Sequence, residues 1–139
     1  MAVTIGLTGC TTHEVTNFGS FDRSERTAAI APGTHGILGV LKDALTKAGW
    51  KLSVVYRLDG RSGNRTNALA DLQGSRDRGP RYLILVYQHV VDVCLTAEDF
   101  VAYEIIFIDV KSGAEVRSIK GRKCLSAAAH EIGKSISVF

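Results

Sequence analysis

Three cysteines, four histidines and a run of arginines are the side chains of this 139-residue chain that could carry chemistry. Cys10 closes the short apolar start Ala2-Val3-Thr4-Ile5-Gly6-Leu7-Thr8-Gly9. In Leu7-Thr8-Gly9-Cys10 an aliphatic residue is followed by small residues and then a thiol. This is the pattern of a bacterial lipobox, whose cysteine becomes the acylated N-terminus after cleavage. Thr11-Thr12-His13-Glu14 then forms the polar start of the mature chain. A secretory segment has a positive n-region and an apolar h-region of about 7–15 residues. Residues 1–10 carry no Lys or Arg, so they read as a signal remnant without its beginning. The same residues also fit an ordinary strand in which Val3, Ile5 and Leu7 alternate. In the lipid reading the anchor has more than one acyl chain, as stable attachment requires. No other segment approaches the roughly 18 consecutive apolar residues of a membrane span.

An odd cysteine count in an exported protein leaves one thiol to explain. Acylation of Cys10 explains it and leaves Cys94 and Cys124 free to pair. Such a bridge would close a loop of about 30 residues and stabilise the fold by about 3 kcal/mol in the chain-entropy picture. The alternative is that both are small buried hydrophobes. No Cys-x-x-Cys pair and no Cys/His cluster at zinc spacing occurs, so no metal is expected.

The net charge of +3 is carried by residues 57–82, where Arg57, Arg61, Arg65, Arg76, Arg78 and Arg81 face three aspartates. Six arginines and no lysine suit planar, bidentate anions such as carboxylate or phosphate. The competing reading is a solvated Gly/Arg/Asp-rich loop with internal ion pairs. Only Tyr56 and Tyr82, at its edges, could stack on bases, so nucleic acid is not an expected partner.

The histidines do not converge on an enzyme. His89, Asp92 and Glu104 could be imagined as one site, but strand alternation puts His89 and Asp92 on opposite faces. His13, His35 and His130 are scattered. Gly33, Gly36 and Gly39 recur every three residues where a helix begins, a place where backbone N–H groups can cradle phosphate. Neither the P-loop nor the dinucleotide spacing is present, so close packing explains these glycines better and no cofactor is expected. No nucleophile elbow occurs. The chain reads as non-enzymatic.

The elements that must hold these residues follow from periodicity. At 45% apolar and 22% charged, the chain has the composition of one globular domain. Residues 11–33 are polar and read as a tether with a first strand near 15–21. Residues 34–139 read as a single α/β domain. Thr34 is the expected N-cap of a helix in which Leu38, Leu41, Leu45 and Ala48 share a face. Gly49 ends it, and a strand from Trp50 to Leu58 follows. Ala68, Leu69 and Leu72 suggest a short second helix capped by Thr66 or Asn67. Tyr82-Leu83-Ile84-Leu85-Val86-Tyr87 is a continuous apolar run, as in a central strand buried on both faces. Val101 to Val110 is another strand, with Tyr103, Ile105 and Phe107 on one face. Lys111-Ser112-Gly113 makes a hairpin turn into a charged edge strand from Glu115 to Lys120. A last helix from Ser126 should bury Leu125, Ala129, Ile132 and Ile136. The expected class is α+β: a mixed sheet of about four to five strands with helices mainly on one face, in the order β-α-β-α-β-β-β-α.

Three stretches carry a family resemblance: Leu45-Thr46-Lys47-Ala48-Gly49-Trp50 ending a helix before a strand, Arg81-Tyr82-Leu83-Ile84-Leu85-Val86 after the Gly/Arg loop, and the hairpin Phe107-Ile108-Asp109-Val110-Lys111-Ser112-Gly113-Ala114-Glu115-Val116. Over residues 35–138 the chain resembles the small α/β domain of TolB amino-terminal domains and of CsgG-like curli-secretion lipoproteins. It departs from them before the first helix, where the usual apolar strand shrinks to 15–21. Those families are assembly and scaffold proteins, so the resemblance implies no catalytic residues.

Together these features predict a bacterial envelope lipoprotein, anchored through Cys10, that acts in binding or assembly. With Thr11 rather than Asp after Cys10, the resemblance to lipoproteins implies the periplasmic face of the outer membrane. The expected partner is an envelope protein or acidic polymer met by the arginines or the 115–120 edge, and an unpaired edge also allows a homo-oligomer. The alternative is a cytosolic ligand- or RNA-binding module that uses the arginine-rich 57–82 segment.

Overall fold

A computed structural model describes residues 11–55, 73 and 79–139. They form β1 (Thr12–Asn17), β2 (Thr27–Ile30), α1 (Gly36–Lys47), β3 (Lys51–Val54), β4 (Tyr82–Val93), β5 (Asp99–Asp109), β6 (Glu115–Cys124) and α2 (Leu125–Ser137). The α+β class with a mixed sheet holds. Among the described residues there are six strands, ordered β1-β6-β5-β4-β2-β3, and two helices. The short helix expected near Ala68–Leu72 lies outside the described residues, as do Tyr56, Arg57 and Leu58.

Two differences from the sequence reading change the topology. The polar stretch before α1 contributes two strands. β1 pairs antiparallel with β6, and β2 lies between β3 and β4, parallel to both. β2 is Thr27-Ala28-Ala29-Ile30, and its last three residues are buried. Alanine has weak strand preference, so nothing in this run announces a strand. Its position beneath α1 in a parallel β2-α1-β3 crossover creates it. The second difference is that β6 is not an edge. β1 covers its outer side, and among the described residues β1 and β3 are the edges. The charges of β6 belong to a strand with one solvated face, not to an unpaired one.

Both helices pack on one face. Ile37, Leu38, Leu41 and Leu45 of α1 and Ala128, Ile132 and Ile136 of α2 meet Tyr82 and Ile84 of β4 and Tyr103, Ile105 and Phe107 of β5. The α2 stripe centres on Ala128, with Leu125 and Ala129 only half-buried at its rim. The alternate β4 residues Leu83 and Leu85 join Ala29, Ile106 and Val110 in a smaller cluster on the other face. An aromatic group closes one end of the core: Phe21 stacks on Phe139 at 4.5 Å between centroids, and Arg117 lies 4.0 Å over the Phe139 ring.

The helix ends explain the turns. Gly49 takes φ 84°, which lets its N–H donate to Thr46 O (3.0 Å) and the Trp50 N–H to Leu45 O (3.0 Å). This doubly bonded helix stop needs a left-handed residue, and glycine adopts it without a Cβ penalty. At its start, α1 is capped by His35 rather than Thr34, with no side-chain bond from the cap itself. The hairpin after β5 forms as expected, the Gly113 N–H donating to Asp109 O at 2.7 Å.

Gly121 of β6 is a second position where the missing side chain matters. A Cβ there would collide with the Tyr103 hydroxyl and lie 2.8 Å from Thr12 O. Gly121→Ala should therefore push Tyr103 and β1 outward. We expect a loss of about 1–3 kcal/mol in urea unfolding, with faster amide exchange confined first to β1. Unchanged stability would show that β1 is not held at this point.

Candidate functional site

A length mismatch between strands and helices shapes the surface. Twelve residues of β4 extend about 40 Å, whereas the twelve of α1 reach about 18 Å. From Tyr82 to Leu85 β4 is buried, but from Tyr87 to Val93 it is exposed. The end of β4 and the β4–β5 turn thus overhang the start of α1, while α2 begins at this same end, at Leu125. Exposed apolar side chains stand here among charged ones: Val90 is 57% exposed, Val93 63% and Leu95 fully exposed, with Asp92 and Asp99 exposed beside them. Val93, Leu95, Phe100, Arg122 and Ala127 line part of a shallow recess of about 760 Å³ there. A concentration of exposed apolar side chains marks an interaction surface rather than a catalytic one.

Two cross-links hold this end. Cys94 and Cys124 form a disulfide, Cα–Cα 6.1 Å, that ties the β4–β5 turn to the last residue of β6. Beside it, Glu98 serves as the missing N-cap of α2. Its Oε2 accepts the Ser126 N–H at 2.8 Å, and its Oε1 accepts the Ser126 hydroxyl at 2.8 Å and the Thr96 hydroxyl at 3.0 Å. The Ser126 N–H, then its hydroxyl, holds the Glu98 carboxyl below its ordinary value. A carboxylate at a helix N-terminus also complements the helix dipole. Within the turn the Cys94 N–H donates to Glu98 O at 2.8 Å, and Ala97 takes the left-handed φ of 62° that so tight a turn requires.

The chain enters the sheet at the same end. His13 on β1 is fixed from both ring nitrogens: Nδ1 lies 2.8 Å from the Tyr103 hydroxyl and Nε2 3.1 Å from Ser135 Oγ. Ser135 donates its own proton to Glu131 O at 2.9 Å. Consistent bonding then makes Nε2–H the donor to Ser135 and bare Nδ1 the acceptor from Tyr103, which is the neutral imidazole. Burial lowers the His13 pKa, Glu131 opposing and Lys123 reinforcing. Burial, with Glu131, pushes the Tyr103 hydroxyl up to about 12. The arrangement joins β1 to β5 and α2. Ser135 points its proton at a helix carbonyl, so it is a helix-bonded serine rather than an activated nucleophile.

The other candidates separate. Arg81 forms a two-pronged pair with Asp109, Nε to Oδ1 at 3.1 Å and Nη2 to Oδ2 at 2.9 Å, with Glu25 at 3.4 Å and Asp22 at 3.7 Å. These bonds raise its pKa further. Its role here is to join the β4 and β5 ends to the loop before β2. Arg57, Arg61, Arg65, Arg76 and Arg78 lie outside the described residues, as does Cys10. A bulge at Val91 brings Asp92 opposite Phe100, while His89 is opposite Ala102, so both fall on one face, against simple alternation. They still form no pair: Asp92 Oδ1 accepts the Val93 N–H at 2.8 Å, and Glu104 pairs with Lys120 at 3.3 Å. The glycine-rich start of α1 is occupied by Gln88, whose Oε1 accepts the Ile37 N–H at 2.7 Å and whose Nε2 donates to His35 O at 3.1 Å. A Cβ on Gly39 would strike Thr34 O. Close packing explains both glycines. Among the described residues no group of three metal-capable side chains gathers.

Sequence reasoning could not locate the overhang, because Val90, Val91, Val93 and Leu95 look like a continuation of the buried β4 run. Only the length of α1 against that of β4 could have signalled it.

Two outcomes follow. Replacing Cys94 and Cys124 together by alanine should cost about 3 kcal/mol in urea unfolding while leaving the far-ultraviolet spectrum intact; an unchanged midpoint would deny the bridge a stabilising part. Because the folded pKa of His13 lies below its ordinary 6.5, the unfolded chain takes up its proton first. Stability from this network is complete above about pH 6.5 and drains as pH falls below it. Unfolding free energies from about pH 7.5 to 5.5 should fall more steeply for the wild type than for His13→Gln; parallel curves would contradict the neutral, doubly bonded ring.

No protein-family model matches the sequence, and no curated relative matches it. Among solved structures, a point variant of the PelC dodecamer from Paraburkholderia phytofirmans superimposes with a TM-score of 0.61 at 18% identity, covering 91% of this chain and 96% of that one. The PelC dodecamer in another crystal form gives 0.60 at 18% identity, covering 91% and 95%. At this identity the likeness shows a shared fold, and both of these neighbours are homo-oligomers.

Proposed function

We propose that this chain is a bacterial envelope lipoprotein, acylated at Cys10 and facing the periplasm from the outer membrane, that works without catalysis as a subunit of a binding or assembly structure. The observation that carries the reading is the Cys94–Cys124 disulfide clamping an exposed apolar end of the sheet. Disulfides persist in oxidising compartments and are rare in the cytosol, which favours export over a cytosolic ligand- or RNA-binding role. His13, Arg81, Gln88, Asp92, Glu98 and Glu104 spend their side chains on bonds within the fold, as in a scaffold. Among these residues, too, no helix is long and apolar enough to cross a membrane, so attachment would rest on the acyl group. The dodecameric neighbours support self-association. The partner class remains an envelope protein or acidic polymer, for which the arginines of 57–82 supply the charge.

The test is expression with an export signal in a bacterial host, with metabolic labelling by an alkyne fatty acid and native mass measurement. Cys10 should carry the label, Cys10→Ser should lose both label and membrane fractionation, and the detergent-solubilised protein should run as a multiple of the mass of the acylated chain that begins at Cys10. An unlabelled protein would overturn the lipoprotein reading. A monomer at every concentration would overturn the assembly reading.

A further inference from the structure

The strand register places the chain's entry and the apolar overhang at one end of the sheet. Thr12 is opposite Arg122, Arg122 opposite Ala102, and Ala102 opposite His89. Beyond that row β4 runs on to Val93 and β6 to Cys124, and the β4–β5 turn carries Leu95. Cys10 directly precedes Thr11 in the sequence, so an acyl group on it would be tethered to this end of the sheet. The disulfide draws the tip to the same place, since Cys94 is bonded to Cys124, two residues from Arg122.

We propose that the tip of the overhang, led by Leu95 and Val93, is a second membrane contact that seats among lipid headgroups beside the acyl chains on Cys10. The proposal rests on the lipoprotein reading and adds an orientation to it: the sheet stands on its β4–β5 turn, with the opposite end toward the aqueous phase. The two ends differ in the required sense. The far end carries Lys111, Ser112 and Glu115, all exposed, with the Arg81–Asp109–Glu25 ion pairs. The near end carries a fully exposed leucine and a valine with more than half its surface in water.

Area decides between a bilayer and a second copy as occupant. A stable protein interface takes about 800 Å² from each partner, far more than the side chains of one tight turn can offer. A few apolar side chains are sufficient when an acyl anchor already holds the protein at the surface, because the second contact is then intramolecular in its entropy cost. The clamp contributes as well: a turn held by a disulfide and by the Glu98 cap loses little freedom on insertion. Charges at this end nearly balance, Asp92, Glu98 and Asp99 against Arg122 and Lys123. The contact is therefore apolar in character and insensitive to salt.

The experiment uses the full lipidated protein on vesicles of phosphatidylethanolamine and phosphatidylglycerol, with and without brominated acyl chains. Leu95→Trp places a reporter at the tip; Trp50, 5% exposed in the core, supplies the unquenched background. Flotation of the wild type, lost in Cys10→Ser, establishes the anchor. The expected result is quenching of the added tryptophan's emission by about twofold or more, unchanged in high salt, and loss of that quenching when Val93→Asp is added to the lipidated protein. A floating protein whose tip tryptophan is not quenched overturns the proposal while leaving the anchor reading intact. A protein that does not float fails at the anchor, and the tip contact is overturned with it. Shielding of the tip that tracks protein concentration without lipid would assign the surface to a second copy and equally overturn the proposal.

Discussion

A strand about twice as long as the helix that covers it governs this molecule. α1 and α2 provide one layer, and β4 outruns the start of α1, while α2 starts level with the β4–β5 turn, where Ser126 meets Glu98. Burial can stabilise Tyr82 to Leu85 on both faces, but it cannot reach Val90 or Val93. A projecting ribbon with little core beneath it has low local stability unless something else ties it down. Here covalent and charge-assisted bonds replace packing. The Cys94–Cys124 bridge joins the ends of β4 and β6 across β5, and Glu98 fastens the turn to the N–H and hydroxyl of Ser126 at the start of α2. The apolar side chains that packing leaves exposed then become a rigid surface rather than a frayed one.

The N-terminal edge obeys a similar logic. Among the described residues β1 is an edge strand with four of its six residues exposed, held to β6 by the backbone ladder and tied to β5 and α2 through His13. Neutral His13 bridges Tyr103 on β5 and Ser135 on α2, so the strand nearest the proposed anchor is bonded to both layers. Gly121 makes room for this, since any larger residue would displace the tyrosine that His13 needs. A pull on the proposed anchor would reach the sheet and a helix together.

How much of this was legible depends on whether a residue's pattern was local. The α1 stripe, the Gly49 stop, β5 with its inward Tyr103, Ile105 and Phe107, and the hairpin at Gly113 all follow from short-range periodicity and turn chemistry. β2 did not, because Ala28 and Ala29 become strand residues only through the partners on either side. β6 looked like an edge because its charges were visible and β1, in a polar stretch, was not. The bulge at Val91 reversed the facing of Asp92, a one-residue slip that alternation cannot foresee. Arg81 was read as one of six similar arginines, yet the acids around it come from positions 22, 25 and 109, and only the fold assembles them. The Glu98 cap was missed for the same reason: donor and acceptor lie 28 residues apart.

The account turns on the clamp. Amide hydrogen exchange of the oxidised and the reduced protein, read across Val90 to Ala102, tests it most directly. The structure predicts slow exchange through β4 and β5 up to the turn when the bridge is closed. On reduction, protection should fall by at least about tenfold from Val90 to Ala102 while Tyr82 to Leu85 stays protected. Equal protection in both forms would contradict the account, because the overhang would then owe its order to something other than the sulfur bridge.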